Sequence, residues 1–447
     1  MPLIPSGGVT THAALTDVST PHVPTDISQT SAFNYSSIGG TFAGIITGAK
    51  IGTTTSTLYG DGSQMTGIAG AVAIRTVTKV VAASNSASTA ADYVCDGIAD
   101  EVQIQAAIDA STAIGGIVYL MEGTYNIGQT INIKANKISL VGAGKGTNIA
   151  STANVTMISG SATTSGLLIS NLLLTGTAGL NRIIQFDAVT NSVIERCWAD
   201  NCRTFVFLNT DSHENLITKN TVDCGGIGNS DAIWVYDSER CIISNNKVFR
   251  SFDDGIVLES NAKGCTVEGN IVKYIRYEAI SIKNTNCINN IIANNFVEGT
   301  ITSEVGIQVY GAYCTISGNS ASSVLYGIIL NTAYDNTVTG NSCYLNRNDG
   351  IRLTNSSRNT VANNSCLNNS QSGAGNYDGI YLINSSSYNV IIGNQCNDNQ
   401  GVKTQNYGIA EASTLDNYNL IIGNSCQGNN TDAILQMGAN SSTVHNI

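Results

Sequence analysis

The stretch NDGIRLTNSSRNTVANNSC, from Asn348 to Cys366, contains the pattern that decides the fold. It runs from the tripeptide Asp349-Gly350-Ile351, through a turn rich in serine and asparagine, to a cysteine behind two asparagines. The same tripeptide returns at Asp254 and at Asp378. These aspartates are therefore either catalytic carboxylates that recur or markers of a repeated structural unit.

Short segments of one form recur after the tripeptides: an Asn or Cys, several apolar or β-branched residues, and a closing Asn. Examples are NTVTGN, NTVANN and NVIIGN at 336–341, 359–364 and 389–394. Ten such segments close at 197, 220, 246, 270, 295, 319, 341, 364, 394 and 424, the first on Cys197 and the other nine on Asn, so the period is 22 to 30 residues. A unit this short cannot bury a core alone and is stable only when stacked on its neighbours.

An apolar column precedes these segments. It consists of Ile184, Val206, Ile233, Ile256, Ile280, Ile307, Ile328, Ile351, Ile380, Ile409 and Ile434. For the nine members from Ile184 to Ile380 the residue two places later is also apolar, which is the period-2 alternation of a short strand with one buried face. Each coil is therefore predicted to carry at least two short strands separated by Asn, Gly and Ser turns. The fold class predicted is an all-β solenoid.

Asparagine, cysteine and proline support stacking. Stacked asparagines are expected to pair their amides along an axis with a repeat of about 4.8 Å. Cysteines such as Cys343 and Cys366 stand in a small apolar column without any CxxC pair, so we predict buried, unpaired thiols rather than disulfides or metal ligands. No proline follows Pro24, as expected where ladder pairing needs every backbone N–H.

Composition excludes some classes of function. Charged residues make up only 12% of the chain, and the net charge of −11 argues against a nucleic-acid-binding protein. No apolar run is long enough for membrane insertion. The start, MPLIPSGGVTTHAALTD, lacks a basic region followed by an apolar one, so no Sec signal peptide is expected. Action outside the producing cell would then require lysis or assembly into a particle.

The segment Asp92 to Ile127 breaks the repeat. Asp100 is predicted to be an N-cap, and Val102, Ala106 and Ile108 form the apolar side of a helix that would cap the solenoid. With GGIVYLMEGTY and ISLVGAGKGTNI after it, the segment resembles the start of the pectate-lyase-like, right-handed parallel β-helix superfamily. The resemblance covers about 80% of the chain and implies a right-handed parallel β-helix of about 11–13 coils with an N-terminal capping helix. It implies no single chemistry, because such folds include lyases, hydrolases, epimerases and adhesins.

The first 85 residues differ from the rest. THAALTDVSTPHVPTD and LYGDGSQMTGI are similar to segments of phage tail-fibre and tailspike proteins. The similarity implies a virion-attachment region over 1–85, with the capping helix and β-helix start over 86–160 and the β-helix over 161–447. It also implies a homotrimer in a virion tail, bound to tail or baseplate proteins and acting extracellularly.

Acids often stand two places before the column isoleucine. For most of them we predict a structural role, in which Asp accepts a backbone N–H and the following Gly supplies an unusual φ. Asp231, Asp254 and Glu278 fall on successive coils and are predicted to be catalytic. Adjacent coils would place carboxylates about 5 Å apart, as in a retaining glycosidase, and alternate coils about 10 Å apart, at the edge of the inverting range.

Outward positions on the same coils are predicted to form a carbohydrate-binding platform. They are Phe207, Trp234, Tyr236, Glu259, Lys283 and Tyr310. No metal or cofactor is predicted. Arg276 or Lys283 could serve as the base of a polysaccharide lyase, but the sequence shows no Asp/Arg array of that type.

Three functions remain open from the sequence. The first is a tailspike or tail fibre that binds host surface polysaccharide, with cleavage by hydrolysis or elimination left undecided. The second is a non-enzymatic structural or adhesive fibre, in which the repeated Asp and Asn residues are scaffold only. The third is a polysaccharide lyase or epimerase unconnected to a virus.

Overall fold

The computed structural model describes residues 79–87, 90–113, 115–161, 164–177, 182–226, 231–299 and 305–447, which belong to one compact unit. They form a right-handed parallel β-solenoid of about 13 turns, as predicted. Coils of the repeat as far as Leu367 contribute strands to three faces, and the later coils contribute strands to two of them. The tail-like segment at 58–68 and nearly all of the predicted attachment region lie outside the described residues.

Face 1 is a thirteen-stranded parallel sheet in the described part of the chain. Its strands are Ile131–Ile133, Ile158–Gly160, Arg182–Asp187, Thr204–Asn209, Ile233–Tyr236, Ile256–Glu259, Glu278–Ile282, Val305–Val309, Tyr326–Asn331, Ile351–Thr354, Ile380–Ile383, Tyr407–Glu411 and Asp432–Leu435.

Faces 2 and 3 belong to one twenty-five-stranded sheet of the described residues, which divides into two ladders. It starts with Lys79–Ala82, Tyr93–Val94, Gly116–Leu120, Gly123–Ile127, Ile138–Ser151 and Leu168–Thr175. Face 2 continues with Val193–Glu195, Leu216–Thr218, Ile242–Ser244, Thr266–Glu268, Ile291–Ala293, Thr315–Ser317, Thr337–Thr339, Thr360–Ala362, Val390–Ile392, Leu420–Ile422 and Ser442–Val444. Face 3 continues with Trp198–Asp200, Thr221–Asp223, Lys247–Phe249, Ile271–Lys273, Phe296–Glu298, Ser320–Ser322, Ser342–Tyr344 and Ser365–Leu367.

The predicted apolar column is the inward row of face 1. Ile184 pairs with Val206 in the next coil, Val206 pairs with Ile233, and the register continues without a shift to Ile434. Every member as far as Ile409 is fully buried. Stacking therefore places each apolar side chain on one of the same kind, and the strand prediction is confirmed.

The closing asparagines of the repeat form a continuous buried ladder from Asn220 to Asn446. In nine successive steps the side-chain Nδ2 of one asparagine donates to Oδ1 of the next at 2.9–3.0 Å. The same Nδ2 atoms also donate to a main-chain carbonyl, as Asn319 does to Ile292 at 2.9 Å. The predicted amide ladder is confirmed, and it satisfies polar groups that would be costly to bury unpaired.

All twelve cysteines are buried and free, as predicted. Cys343 and Cys366 are register partners on adjacent coils of face 3, where they fill the place that Val248 and Val272 fill in earlier coils. The thiols therefore act as small core side chains.

The glycine of the Asp-Gly-Ile tripeptide was expected to supply an unusual φ, and this expectation was wrong. Gly255, Gly350 and Gly379 do not adopt a positive φ. A Cβ atom on Gly350 would lie 2.7 Å from the carbonyl oxygen of Gly379, and one on Gly255 would lie 2.4 Å from that of Ala279. The glycine is needed because the next coil approaches too closely for a side chain.

A helix spans Glu101–Asp109, as the sequence predicts, but its orientation differs from the expectation. Ile104, Ala107 and Ile108 are buried, whereas Val102 is exposed. Asp100 stands at the N-cap position, yet its carboxylate accepts the N–H groups of Gly97 and Asn126 at 2.9 and 2.7 Å instead of a helix N–H. No described helix is long and apolar enough to cross a membrane.

Candidate active site on face 1

The predicted catalytic acids stand at the start of face 1 strands on successive coils. Asp231 Oδ1 accepts the N–H of Asp254 at 3.2 Å, and Asp254 Oδ1 accepts the N–H of Glu278 at 3.1 Å. Asp349 and Asp378 accept backbone N–H groups of their following coils in the same way, at 2.8 and 2.9 Å. The predicted scaffold role of these aspartates is therefore present in both groups of coils.

Asp254 is fully buried beneath the surface of face 1. Its second oxygen, Oδ2, receives the Lys283 ammonium at 2.7 Å and the Ser281 hydroxyl at 2.8 Å. Both carboxylate oxygens are thus occupied and no part of the side chain faces solvent. Asp254 therefore holds Lys283 and the backbone N–H of Glu278 from beneath the surface.

Of the three predicted catalytic acids, Glu278 and Asp231 reach the surface, as does the neighbouring Asp253. The Glu278 side chain is 20% exposed, and its Oε2 lies 3.5 Å from Lys283 Nζ. Burial, followed by the hydrogen bond and charge of Asp254, raises the pKa of Glu278 to about 8. Burial and the charges of Asp254 and Asp253 raise the pKa of Asp231 to about 7. Near neutral pH the two groups therefore exist in both protonation states, as acid–base chemistry requires.

Two charged neighbours complete the cluster. Asp253 brings a carboxylate oxygen to within 4.8 Å of those of Asp231 and Asp254, and burial with the charge of Asp254 raises its pKa. Burial lowers the pKa of Lys283, but its pairing with Asp254 and Glu278 outweighs this and holds the pKa above the usual lysine value. Lys283 is therefore a charged ammonium group, which donates hydrogen bonds and cannot accept a proton.

The predicted aromatic platform lies beside the acids. Trp234 packs against Phe207 with ring centroids 4.5 Å apart and against Tyr236 edge-on at 5.9 Å. Trp234 Nε1 donates to Glu259 Oε2 at 2.9 Å, which fixes the indole. Phe207 itself is only 6% exposed because the Arg182 guanidinium covers it, 4.4 Å from the ring centroid. Trp234 and Tyr236 are thus the rings that face solvent.

The remaining predicted binding residues lie in a second outward row, which Tyr236 begins. Tyr236 and Glu259 are register partners, and Lys283 and Tyr310 follow on the next coils. The Tyr310 hydroxyl accepts hydrogen bonds from Gln308 at 2.6 Å and Asn331 at 3.2 Å. The structure therefore places all nine predicted site residues on face 1, with Tyr310 on the far side of the acid cluster from Trp234.

Sequence reasoning missed the contributions of Arg182 and Ser281. Arg182 occupies, in its own coil, the place where later coils carry an acid, and that substitution of a base for an acid was the available signal. Ser281 stands in register with Val257, and the hydroxyl it brings above Asp254 has no counterpart in the previous coil. The contacts of both residues depend on the side-chain directions of neighbouring coils.

Several solved structures share this fold. The A-module of a mannuronan C-5 epimerase from Azotobacter vinelandii matches with a TM-score of 0.57 and 18% identity, over 78% of this chain and 96% of that one. Tailspike protein 3 of bacteriophage CBA120 matches with a TM-score of 0.54 and 14% identity, over 77% of this chain and 58% of that one. The Dettilon tailspike protein matches with a TM-score of 0.51 and 18% identity, over 80% and 68%.

At these identities the structural matches establish the solenoid fold and leave the chemistry open. A sequence comparison with curated proteins finds no match. The model of the family described as periplasmic copper-binding protein (NosD), a parallel β-helix family, matches residues 158–372 and 299–446. These two matches together cover more than half of the chain, which therefore belongs to the NosD family.

Proposed function

We propose that the chain binds an extended surface polysaccharide along face 1 and hydrolyses it at Glu278 and Asp231. One observation carries the proposal: two partly exposed carboxyl groups with raised pKa values lie beside the partly exposed rings of Trp234 and Tyr236. Aromatic rings on a flat sheet suit sugar rings, which have an apolar face, and the acid pair suits glycosidic bonds.

In the proposed reaction, Glu278 is the general acid and Asp231 the general base. The Glu278 proton passes to the glycosidic oxygen as the carbon–oxygen bond breaks, while Asp231 takes a proton from the water that bonds to the anomeric carbon. Two coils separate the acids, about 10 Å at the backbone, which is at the edge of the inverting arrangement. Lys283 and Asp254 act as positioning residues that fix the electrostatics around Glu278.

Hydrolysis is favoured over elimination or epimerisation by the charge on Lys283. A lyase or epimerase needs a group that removes a proton from carbon, and the sequence offered Arg276 and Lys283 for that task. Lys283 is held protonated by Asp254, and an arginine stays protonated at any working pH. A protonated carboxyl beside an ionisable one meets the needs of hydrolysis without a basic side chain.

The family description names copper, but the described residues do not fit a copper site. Copper(I) prefers thiolate and thioether ligands. The thiols here are all buried in the core. Burial raises the pKa of Cys197 and of Cys314 to about 12, so these two stay protonated, whereas a hydrogen bond with Cys265 lowers the pKa of Cys241. Among the described residues, the group of three potential ligands within reach of one another is all-carboxylate. We assign no step to copper.

We also propose that the chain is a component of a virion. The similarity of residues 1–85 to tail-fibre and tailspike segments supports attachment through the N-terminal region, with the solenoid as the part that meets the host polysaccharide. A homotrimer and tail or baseplate partners belong to the same proposal. Tailspikes among the structural neighbours are compatible with it through the fold.

The products formed from host capsule or lipopolysaccharide test the proposed function. Incubation with the purified chain is expected to release new reducing ends without the ultraviolet absorbance of an unsaturated uronate. Ultraviolet absorbance from an unsaturated uronate would instead indicate a lyase. Binding without any new product would indicate the non-enzymatic fibre, and the absence of both would contradict the proposal as a whole.

The pH dependence of hydrolysis follows from the two raised pKa values. Asp231 must be ionised, so activity is expected to fall as pH drops below about 7. Glu278 must be protonated, so activity is expected to fall as pH rises above about 8. The measurement is kcat/KM across the pH range, which should give a narrow bell. A profile that is flat through this interval would contradict the assigned roles.

A further inference from the structure

We propose a second sugar-binding subsite on face 1, formed by Tyr326, Arg352 and Tyr381, that holds the same polysaccharide distal to the acid cluster. The inference rests on the proposed function and makes it more specific. It implies an endo-acting protein that grips an extended chain at two points. These three residues lie on coils beyond the aromatic platform of Trp234.

The three side chains form a compact unit on the outer surface of the sheet. The Arg352 guanidinium lies 5.1 Å from the ring centroid of Tyr326 and 5.4 Å from that of Tyr381. Its Nη1 donates to the Tyr326 hydroxyl at 3.2 Å, and its Nε donates to Thr354 Oγ1 at 3.3 Å. The guanidinium is therefore held between two aromatic rings on neighbouring coils.

Part of this unit is available to a ligand. The Arg352 side chain is 20% exposed, and both tyrosines are partly exposed. The hydrogen bonds of Arg352 use Nε and Nη1, which leaves the two N–H groups of Nη2 for a sugar hydroxyl. The exposed part of the Tyr381 ring can pack against the apolar face of a pyranose.

The buried acids below explain why this group holds its shape. Asp349 is fully buried, and its Oδ2 lies 3.3 Å from Arg352 Nη1. Asp349 Oδ1 accepts the N–H of Asp378, and Asp378 accepts that of Tyr407. Asp349 anchors the guanidinium from beneath, as Asp254 anchors Lys283 at the first site, and Asp378 continues the ladder to the next coil. Their burial keeps them from contacting a ligand directly.

The spacing fits one polymer chain. Trp234 and Tyr381 occupy the same outward row of face 1, and six successive register pairings connect them. At about 4.8 Å per coil the two rings lie about 29 Å apart along the axis. One coil rises by nearly the length of one pyranose unit, so about six sugar units would span the two points.

The ligand is inferred to be a neutral, hydroxyl-rich polysaccharide. The charge of Arg352 is paired with Asp349, and that of Lys283 with Asp254. Asp231, Asp253 and Glu278 add acidic groups to the same face, so a densely anionic polymer would be repelled. Rings and hydrogen-bond donors on this surface suit hydroxyl groups and the apolar faces of sugars.

Binding of size-selected oligosaccharides tests the subsite. The probes are disaccharides and octasaccharides prepared by partial acid hydrolysis of the polysaccharide that the wild-type chain binds, and calorimetry measures their affinity. Wild type is expected to bind octasaccharides far more tightly than disaccharides. Tyr381→Ala is expected to lower octasaccharide affinity about tenfold, and Tyr381→Trp, which keeps an aromatic face, should retain it. Tyr344→Ala, the same change on face 3, is the control and should match wild type.

The outcomes separate this inference from the proposed function. Equal octasaccharide affinity for wild type and a folded Tyr381→Ala would overturn the distal subsite, while loss of binding in Trp234→Ala would still support the proposed function. If Tyr381→Ala fails to fold, weakened octasaccharide binding by Tyr326→Phe, which removes the hydroxyl that orients Arg352, supports the subsite and unchanged binding overturns it. A wild-type chain that binds no surface polysaccharide overturns both proposals.

Discussion

Replacing Glu278 by glutamine is expected to lower the rate of polysaccharide hydrolysis about 10³-fold, the size typical of losing a general acid. Glutamine keeps the shape and the backbone hydrogen bond to Asp254, but it has no proton to give to the leaving oxygen. Binding should persist because Trp234 and Tyr236 are unchanged. The measurement is the release of reducing ends under saturating polysaccharide, together with the affinity for the intact polymer.

Glu268→Gln provides the matched control. Glu268 is an exposed acid on face 2, so the same substitution there removes a carboxylate without touching face 1. Its activity should equal that of wild type, and both variants should melt within a few degrees of the parent. Full activity in Glu278→Gln would remove this residue from the mechanism and leave the acid cluster as scaffold.

The fold was predictable from the sequence because every coil repeats the same constraints. An inward apolar residue and a closing asparagine each need a neighbour of the same kind one coil away, so the columns could be aligned from the order of residues alone. The register of Ile184 through Ile434 matches that alignment at every step. The expected unusual φ of the tripeptide glycine was wrong because the residues of one turn do not show how closely the backbone of the next coil approaches.

The sequence predicted which residues of the candidate site lie near one another, but it did not predict the contacts between their side chains. Column alignment brought Asp231, Asp254 and Glu278 together, since coil order alone determines which residues are adjacent. It did not show that Asp254 is buried under Lys283, because a side chain at the start of a strand does not follow the simple in–out alternation. Nor did it show that Arg182 covers Phe207, since that contact depends on the rotamer of a long side chain.

Both groups on face 1 use one construction principle. An acid at the start of a coil accepts the backbone N–H of the next coil with one oxygen and holds a cation with the other, as Asp254 holds Lys283 and Asp349 holds Arg352. Scaffold and function are therefore compatible roles for the repeated aspartate. In both groups the aspartate of the Asp-Gly-Ile tripeptide links its own coil to the next coil and holds a cation at the surface of face 1, and in the proposed reaction it positions the reacting groups.

Replacing Asn319 by aspartate is expected to destabilise the solenoid by about 3–5 kcal/mol at neutral pH. Asn319 Oδ1 accepts two N–H groups of Asn295, at 2.9 Å each, and an aspartate could keep both. Its Nδ2 donates to the Ile292 carbonyl and to Asn341 Oδ1, also at 2.9 Å each. A carboxylate would place a buried charge against these two acceptors. The midpoint of urea unfolding and amide hydrogen exchange around Asn295 measure the effect.

The pH dependence distinguishes this mechanism from a general loss of packing. The buried aspartate would have a pKa raised above its unfolded value, so the deficit should be smallest in acid, where the protonated group donates one hydrogen bond, and should grow as pH rises. Asn399→Asp, an exposed position in a late coil, is the control and should change the midpoint little. If the loss of stability in Asn319→Asp is the same in acid and at neutral pH, its cause is steric fit and not the buried charge. If the midpoint of urea unfolding is the same in Asn319→Asp and in wild type, the amide ladder is a consequence of coil stacking and does not stabilise the solenoid.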